Sequence, residues 1–522
     1  MTRRRAVADG GRDRDGADTG DSDRERGPAA PARTPGIGAN PRRCGCAGKT
    51  PLDRVVFPAR ERIATALADT SVRLGPATDA AVVPSGRDGT VSDIERHTDV
   101  VALGKSTPAV PFTADDGDGT VDRDARPIVT LACAFVGDDL ADPDGLGDAL
   151  ATAYAALDGP EVTIGKGHAV QLPGHRGGLL WLEHLRSAND DGDGPADGTD
   201  STIDGSDGDS RGDSRSGGSD PGAAGTGTGL VRSVAANVDA VHAFPDLLPP
   251  EQARIAALNA WNDAYARGAT AERTVRPVVA APAGVDPPAA RATAWYRAGV
   301  PREAEVVPAS VIAHGGEGWV LGASVIARGS VNPTAPPLPD DCCALVTRPL
   351  GGLAAFALGS LDGDRGLREL GRDRLARDAL PVAEALAACR PSPGEAFDPA
   401  RHLARVTDVS GEGVGGVGRL VASEGRSLRL DRLPVLPAVA DAVAGWWTLP
   451  DVTVETNGPF AAIGTPEALA RVTDRLRGVE GADPVRLGPV DRGDAPIRDA
   501  TDGDTSRLVE AAARWPAAGE RR

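Results

Sequence analysis

The feature that most limits the fold is a polar tract inside the chain. Residues 188–228 are almost all Asp, Gly, Ser and Thr, so they cannot bury a core, and we expect a solvated loop insertion there. Residues 1–41 are rich in Arg, Asp, Gly and Pro without periodicity, which predicts a disordered tail. Without these tracts, roughly 430 residues remain, enough for two sizeable cores.

Outside the polar tracts, strand patterns alternate with helix patterns, which predicts an α/β (α+β) fold. The predicted strands cover residues 128–136, 230–238, 276–281, 318–327, 344–348 and 461–464. The predicted helices cover residues 144–157, 250–267, 289–298, 378–389, 438–447 and 465–476. The Pro-rich stretch 333–339 predicts a linker, which divides the chain into residues 42–335 and 336–522.

The charge composition restricts the possible partners. The net charge is −18 and only three lysines occur, at 49, 105 and 166. Such a surface suits a halophilic cytoplasmic protein, although a GC-rich genome would bias the composition similarly. It argues against non-specific binding to nucleic acid. No apolar run is long enough to span a membrane, and the six cysteines do not suggest a disulfide framework.

The segment Cys44-Gly45-Cys46-Ala47-Gly48-Lys49-Thr50-Pro51 combines two thiols with an ammonium group. A flexible arm of this kind could carry a thiolate and a positive charge onto a bound nucleotide. Because Lys49 lies three residues after Cys46 and five after Cys44, we expect it to lower the pKa of Cys46 more. The alternative is a surface thiol pair in a tail, and a lone Cys-x-Cys is weak evidence for zinc.

Acidic and amide side chains form a second group of candidates. Asn259 and Asp263 lie four residues apart and so share one face of the predicted helix. Asp239 is predicted to end a strand, and Asp408 opens the glycine-rich run 411–418. Together such oxygens could clamp a polyphosphate through Mg²⁺. The alternatives are a solvated helix face, capping residues and, for the glycine run, a flexible turn.

Several of these segments together resemble selenophosphate synthetases (selenide, water dikinases) of the AIR-synthase superfamily. The segments that carry the resemblance are Cys46-x-x-Lys49-x-Pro51, Thr78-Asp79-Ala80-Ala81-Val82, Arg254 to Gly268, Leu345 to Gly351, Thr407 to Gly411, Leu433 to Pro437 and Glu455-Thr456-Asn457-Gly458. The resemblance covers roughly residues 44–83 and 230–475. The Cys-x-x-Lys loop is similar to that of selenophosphate synthetases in particular.

The resemblance implies a PurM-like fold with two halves, a dimerising N-terminal β-barrel half and a C-terminal α/β sandwich, in a homodimer. It implies ATP, Mg²⁺ and, as an additional cation, K⁺, with selenide or sulfide as the other substrate. Asp79, Asp239, Asp263 and Asp408 would hold metal. Lys49, Asn259, Asp239 and Gly411 would bind the nucleotide, with Cys46 and Lys49 in catalysis and Cys44 as the competing thiol.

The chain departs from the family pattern at three places. His314-Gly315-Gly316 stands where the family has Gly-Gly-His, the run after Asp408 carries extra glycines where the family has Gly-Phe-Gly, and residues 84–187 have no counterpart. The strand assigned to Thr78–Val82 could instead fall at Gly167-His168-Ala169-Val170, which would lose the aspartate. A different ATP-dependent enzyme of the superfamily, or a non-catalytic paralogue that binds nucleotide or carries selenium or sulfur, remains an alternative.

Overall fold

The computed structural model describes most of the chain between residues 39 and 499. The described ranges are 39–50, 52–70, 72–74, 80–84, 94–104, 111–112, 129–157, 162–187, 233–329, 335–392, 395–444, 452–493 and 495–499. Most of the predicted tail, Asp79 and the predicted insertion 188–228 lie outside these ranges.

The described helices and strands alternate along the chain. The helices are α1 Phe57–Ala66, α2 Pro143–Ala155, α3 Pro249–Ala266, α4 Ala289–Gly299, α5 Gly352–Asp362, α6 Arg365–Leu375, α7 Leu380–Ala387, α8 Gly413–Ala422, α9 Pro437–Val443 and α10 Pro466–Leu476. The first twelve strands are β1 Val72–Leu74, β2 Ala81–Pro84, β3 Ile94–Leu103, β4 Pro111–Phe112, β5 Val129–Gly137, β6 Val162–Leu172, β7 Gly178–Ser187, β8 Ser233–His242, β9 Ala269–Pro282, β10 Glu305–Val306, β11 Ser310–His314 and β12 Val320–Gly329. The last six are β13 Cys343–Val346, β14 Arg405–Asp408, β15 Arg426–Leu430, β16 Phe460–Gly464, β17 Val485–Arg492 and β18 Ile497–Asp499.

These strands form three six-stranded sheets. The first sheet has the order β1-β6-β5-β7-β3-β4, and the second has the order β10-β9-β12-β8-β2 with β11 also paired to β9. The third sheet, built only from strands after residue 342, has the order β14-β16-β13-β17-β15-β18. A mixed α/β fold, predicted from the alternating patterns, is therefore confirmed.

The first and second sheets pack face to face. Their shared core contains Phe135, Trp181, Val238 and Ile326, all buried. The first sheet is covered on its other face by α1 and α2. The N-terminal half was expected to form a barrel, but no pairing among the described strands joins these two sheets into a ring. Since each sheet buries its apolar face against the other, the core forms without closure.

Helix α3 covers the second sheet and also contacts the C-terminal half. One continuous core joins Trp261 and Tyr265 of α3 to Phe356 and Phe460. The predicted start signal Pro249-Pro250-Glu251 stands at the first turn of the observed helix. Because α3 is packed on several sides, 14 of its residues are buried, including polar ones.

The glycine-rich run differs from its predicted flexible turn. Gly413–Ala422 forms helix α8, and Val414, Val417 and Val421 are buried on one face. The apolar burial at helical spacing offsets the low helix propensity of glycine. No helix in the described part of the chain is long and apolar enough to cross a membrane.

Candidate functional site

The candidate site is centred on the carboxylate of Asp239. Asp239 lies inside β8, opposite Ala323 of β12, and not at a strand end as predicted, because β8 continues to His242. Its side chain is only 4% exposed. A buried carboxylate requires compensating donors, so its partners define the site.

Four nitrogen atoms surround the carboxylate of Asp239. Oδ2 accepts hydrogen bonds from Lys49 Nζ at 2.8 Å and from Asn259 Nδ2 at 2.7 Å. Oδ1 accepts from the backbone N–H of Ala240 at 2.6 Å and lies 3.0 Å from His168 Nε2. The structure therefore brings Lys49, Asp239 and Asn259 together, although they come from three distant segments.

Residues 44–50, here termed the strap, are buried between several elements. Gly45 pairs with His242 and Lys49 pairs with Val170 as single β-bridges. The backbone N–H of Cys46 donates to Thr456 Oγ1 at 2.7 Å, which joins the strap to the C-terminal half. Cys44 and Cys46 are 0% and 2% exposed, so neither the flexible arm nor the surface tail expected from the sequence is present.

A glycine is required at position 45 of the strap. Its φ is +60°, and a Cβ there would lie 2.4 Å from Thr456 Oγ1 and 2.9 Å from Phe244. Both the backbone conformation and the close packing exclude a side chain.

Burial controls the chemistry of the thiols. It raises the pKa of Cys46 to about 12, because lost hydration outweighs the nearby Lys49 ammonium. Burial likewise raises the pKa of Cys44 to about 12. Lys49 acts to lower the pKa of Cys46 and not that of Cys44, as expected, but burial outweighs it, so both thiols are protonated at neutral pH.

Lys49 itself remains charged. Burial alone would lower its pKa, but Asp239, followed by Cys46 and Asp263, outweighs that effect and raises the pKa above its ordinary value. The Cys46 thiol lies 3.7 Å from Asn259 Oδ1, to which it donates. Cys46, Lys49, Asn259 and Asp239 thus form one contiguous polar cluster.

Gly411 also reaches this cluster. A Cβ on Gly411 would lie 3.0 Å from Lys49 Cδ and 3.6 Å from Cys46 Cβ. Asp408 ends β14 opposite Phe460. Asp263 accepts a hydrogen bond of 2.6 Å from Asn237 Nδ2 on β8, on the same side of α3 as Asn259.

Sequence reasoning did not assign roles to His168, Thr456 and Asn457. His168 belongs to the alternative placement of the Asp-Asp-Ala-Ala-Val strand, and its strand β6 is the one that contacts the strap. The other two belong to the Glu455–Gly458 segment, which was matched only by its order along the chain. The alternative strand placement and the Glu455–Gly458 match were therefore the sequence signals that could have identified these three residues.

Asn457 connects the cluster to the C-terminal half. Its backbone N–H donates to Asn259 Oδ1 at 2.7 Å, and its Nδ2 donates to the carbonyls of Leu375 and Arg377, both at 2.7 Å. Asn262 Nδ2 donates to its Oδ1 at 3.1 Å. Asn457 adopts a left-handed φ of 52°, an uncommon conformation that these bonds hold in place.

The described carboxylates do not fit the expected multi-ion clamp in this arrangement. Within the described ranges, no three His, Cys, Asp or Glu side chains converge to hold a metal ion. The oxygens of Asp239 already accept from N–H donors, whereas Mg²⁺ requires oxygen ligands with available lone pairs. Asp79 lies outside the described residues, so the assignment of Asp79, Asp239, Asp263 and Asp408 as metal ligands stays a prediction.

Comparisons with known proteins identify solved structures that are similar to this chain but do not assign it to a family. No protein-family model matches the chain, and no curated protein matches it. Among solved structures, the chain is similar to E. coli HypE, a hydrogenase maturation protein, at 19% identity and TM-score 0.39, over 51% of this chain and 82% of that one. It is also similar to a HypE in complex with ATP, at 16% identity and TM-score 0.40, over 51% and 82%. Thiamine-monophosphate kinase from Stenotrophomonas maltophilia K279a gives 14% identity and TM-score 0.40, over 52% and 86%. At these values the similarity assigns neither an activity nor a ligand.

Proposed function

We propose that the chain is an ATP-dependent phosphotransferase that makes selenophosphate from selenide, ATP and water. The reaction would release AMP and phosphate. The observation that supports this proposal is the assembly of Cys46, Lys49, Asn259 and Asp239 in one buried cluster. These are the residues that the resemblance to selenophosphate synthetases assigned to nucleophile and nucleotide.

In this proposal the four residues have separate tasks. The Lys49 ammonium neutralises phosphate charge, and the Asn259 amide contacts a phosphate oxygen or its hydration shell. Cys46 delivers or shields the selenium nucleophile. Because Cys46 is a buried thiol with a pKa raised to about 12, the strap must leave its docked position before the thiolate can form.

A second candidate function is favoured by the same cluster. A buried thiol and a fully hydrogen-bonded Asp239 also suit a non-catalytic paralogue that binds nucleotide or carries selenium or sulfur. In that protein the docked strap would be the functional state. Homodimer formation through the N-terminal halves stays a prediction for both candidates.

Selenide-dependent AMP release separates the candidates. The full chain in high KCl is incubated with ATP, Mg²⁺ and selenide, and the product is examined by phosphorus NMR. AMP and selenophosphate in stoichiometric amounts support the synthetase, and the Lys49→Met variant should lose them while Arg365→Gln, at an exposed ion pair, should not. Binding of ATP without AMP supports the paralogue. Absence of ATP binding contradicts both the synthetase and a nucleotide-binding paralogue, and leaves only the selenium or sulfur carrier.

A further inference from the structure

Nitrogen atoms cover all sides of the Asp239 carboxylate. A carboxylate has about four lone-pair positions: the N–H groups of Lys49, Asn259 and Ala240 donate to three of them. His168 Nε2 lies 3.0 Å from Oδ1 and covers the fourth. A divalent cation needs at least one of these positions for direct coordination. It can therefore bind Asp239 only if a donor leaves.

Three of these four nitrogens are fixed by other contacts. The Ala240 donor is backbone within β8. The Asn259 amide is held by Asn457, whose N–H donates to its Oδ1 at 2.7 Å. His168 Nε2 also lies 3.1 Å from the carbonyl of Ala240. Lys49 is the one donor that belongs to the strap. If the strap moved away from the sheets, this donor would take a full positive charge with it.

We infer that the Lys49 ammonium occupies the position on Asp239 that a divalent cation would need, so that the docked strap and a cation at Asp239 exclude each other. The electrostatic reason is local: Lys49 also compensates Asp263, so its removal would leave two carboxylates without their shared cation. In this arrangement the Lys49 side chain therefore takes the position at Asp239 that the family resemblance gives to a metal ion. The inference does not depend on the proposed ATP chemistry.

Binding of Mn²⁺ alone tests this inference. Free Mn²⁺ is measured by electron paramagnetic resonance in titrations of the full chain without nucleotide. Lys49→Gln and Lys49→Met should each add one site that binds Mn²⁺ about tenfold or more tighter than the weak background of the acidic surface. Lys49→Arg, which keeps the charge, and Arg365→Gln, which removes a charge from an exposed pair, should add none. The added site should disappear when Asp239→Asn is combined with Lys49→Gln.

Two results would overturn the inference. The first is an unchanged titration in folded Lys49→Gln and Lys49→Met, or an added site that survives Asp239→Asn. The second needs no Lys49 variant: a tight Mn²⁺ site that is present in the wild type, lost in Asp239→Asn and filled while Cys46 stays protected from alkylation. Since no nucleotide is present, a negative AMP assay would leave this result unaffected.

Discussion

Two buried carboxylates in the N-terminal half have similar donors but different surroundings. Glu183 is 0% exposed and accepts from Arg96 Nε at 2.7 Å and Arg276 Nε at 2.8 Å. Asp239 accepts from Lys49 at a similar distance of 2.8 Å. The guanidiniums lie on strands of the two facing sheets, whereas the Lys49 ammonium lies on the strap. The first cluster ties the two facing sheets to each other, whereas the second ties the strap to the second sheet.

The charge balance also differs between the Glu183 cluster and the Asp239 cluster. Burial alone would raise the pKa of Glu183, but the guanidiniums of Arg96 and Arg276 outweigh it and hold the pKa below its ordinary value. Two rigid cations on one carboxylate make a structural ion cluster between the sheets. One cation on a strap makes a site whose charge balance depends on strap docking.

The largest effect is expected at Glu183. Glu183→Gln leaves two buried guanidiniums without their carboxylate, so the free energy of unfolding in urea should fall by about 3–5 kcal/mol. Glu369→Gln, at the solvent-exposed pair with Arg365, should leave it essentially unchanged. A loss of less than about 1 kcal/mol at Glu183 would show that its cluster is not structural.

The next effect is a loss of stability at acid pH that comes from His242, which pairs with Gly45 of the strap. Burial lowers the pKa of His242 from 6.5 to about 4 in the folded state. The unfolded chain therefore binds this proton first, and stability should be lost as the pH falls from about 6.5 toward 4, by about 3 kcal/mol at the lower limit. His242→Gln should remove that part of the pH dependence in urea unfolding. Equal slopes for wild type and His242→Gln would contradict the burial of a neutral ring.

A double-mutant cycle measures the Lys49–Asp239 pair directly. Lys49→Met, Asp239→Asn and the double variant should give a coupling energy of about 2 kcal/mol in urea unfolding. We expect it to be smaller than the Glu183 effect, because water can reach Asp239 once the strap leaves. A coupling as large as the Glu183 loss would mean that the two clusters are equally rigid and would remove the contrast between them.

The smallest effect is expected at the contact between the strap and the C-terminal half. Thr456→Val removes the acceptor for the Cys46 N–H, which should cost about 1 kcal/mol and raise the rate of Cys46 alkylation several-fold. Thr65→Val, which changes an exposed hydroxyl on α1, serves as the control and should alter neither. An unchanged alkylation rate would show that Thr456 does not hold the strap.

The sequence predicts elements whose patterns are local. Strand β5 and helices α3 and α10 follow from apolar periodicity and start signals, and Thr465 Oγ1 accepts from Ala468 N at the start of α10 as such a signal requires. The glycine-rich helix α8 was not predicted, because its stability comes from packing of three valines that tertiary structure supplies.

The residues that cluster around Asp239 were among the predicted candidates, but the protonation state of the thiol was not predictable from the motifs. The sequence motifs contain Cys46, Lys49, Asn259 and Asp239, and the fold places these four residues together. Sequence spacing showed that Lys49 is near Cys46, but desolvation, which decides the thiol pKa, depends on elements far along the chain.

The contact between Cys46 and Thr456 also sets a time order for synthesis. The two residues are 410 positions apart, so the strap cannot complete its docking until residue 456 has been made. At ribosomal rates this takes on the order of 20–80 s. During that interval Cys44 and Cys46 lack part of the burial that raises their pKa in the finished fold. A nascent or truncated chain would therefore expose thiols to oxidants that the completed protein resists.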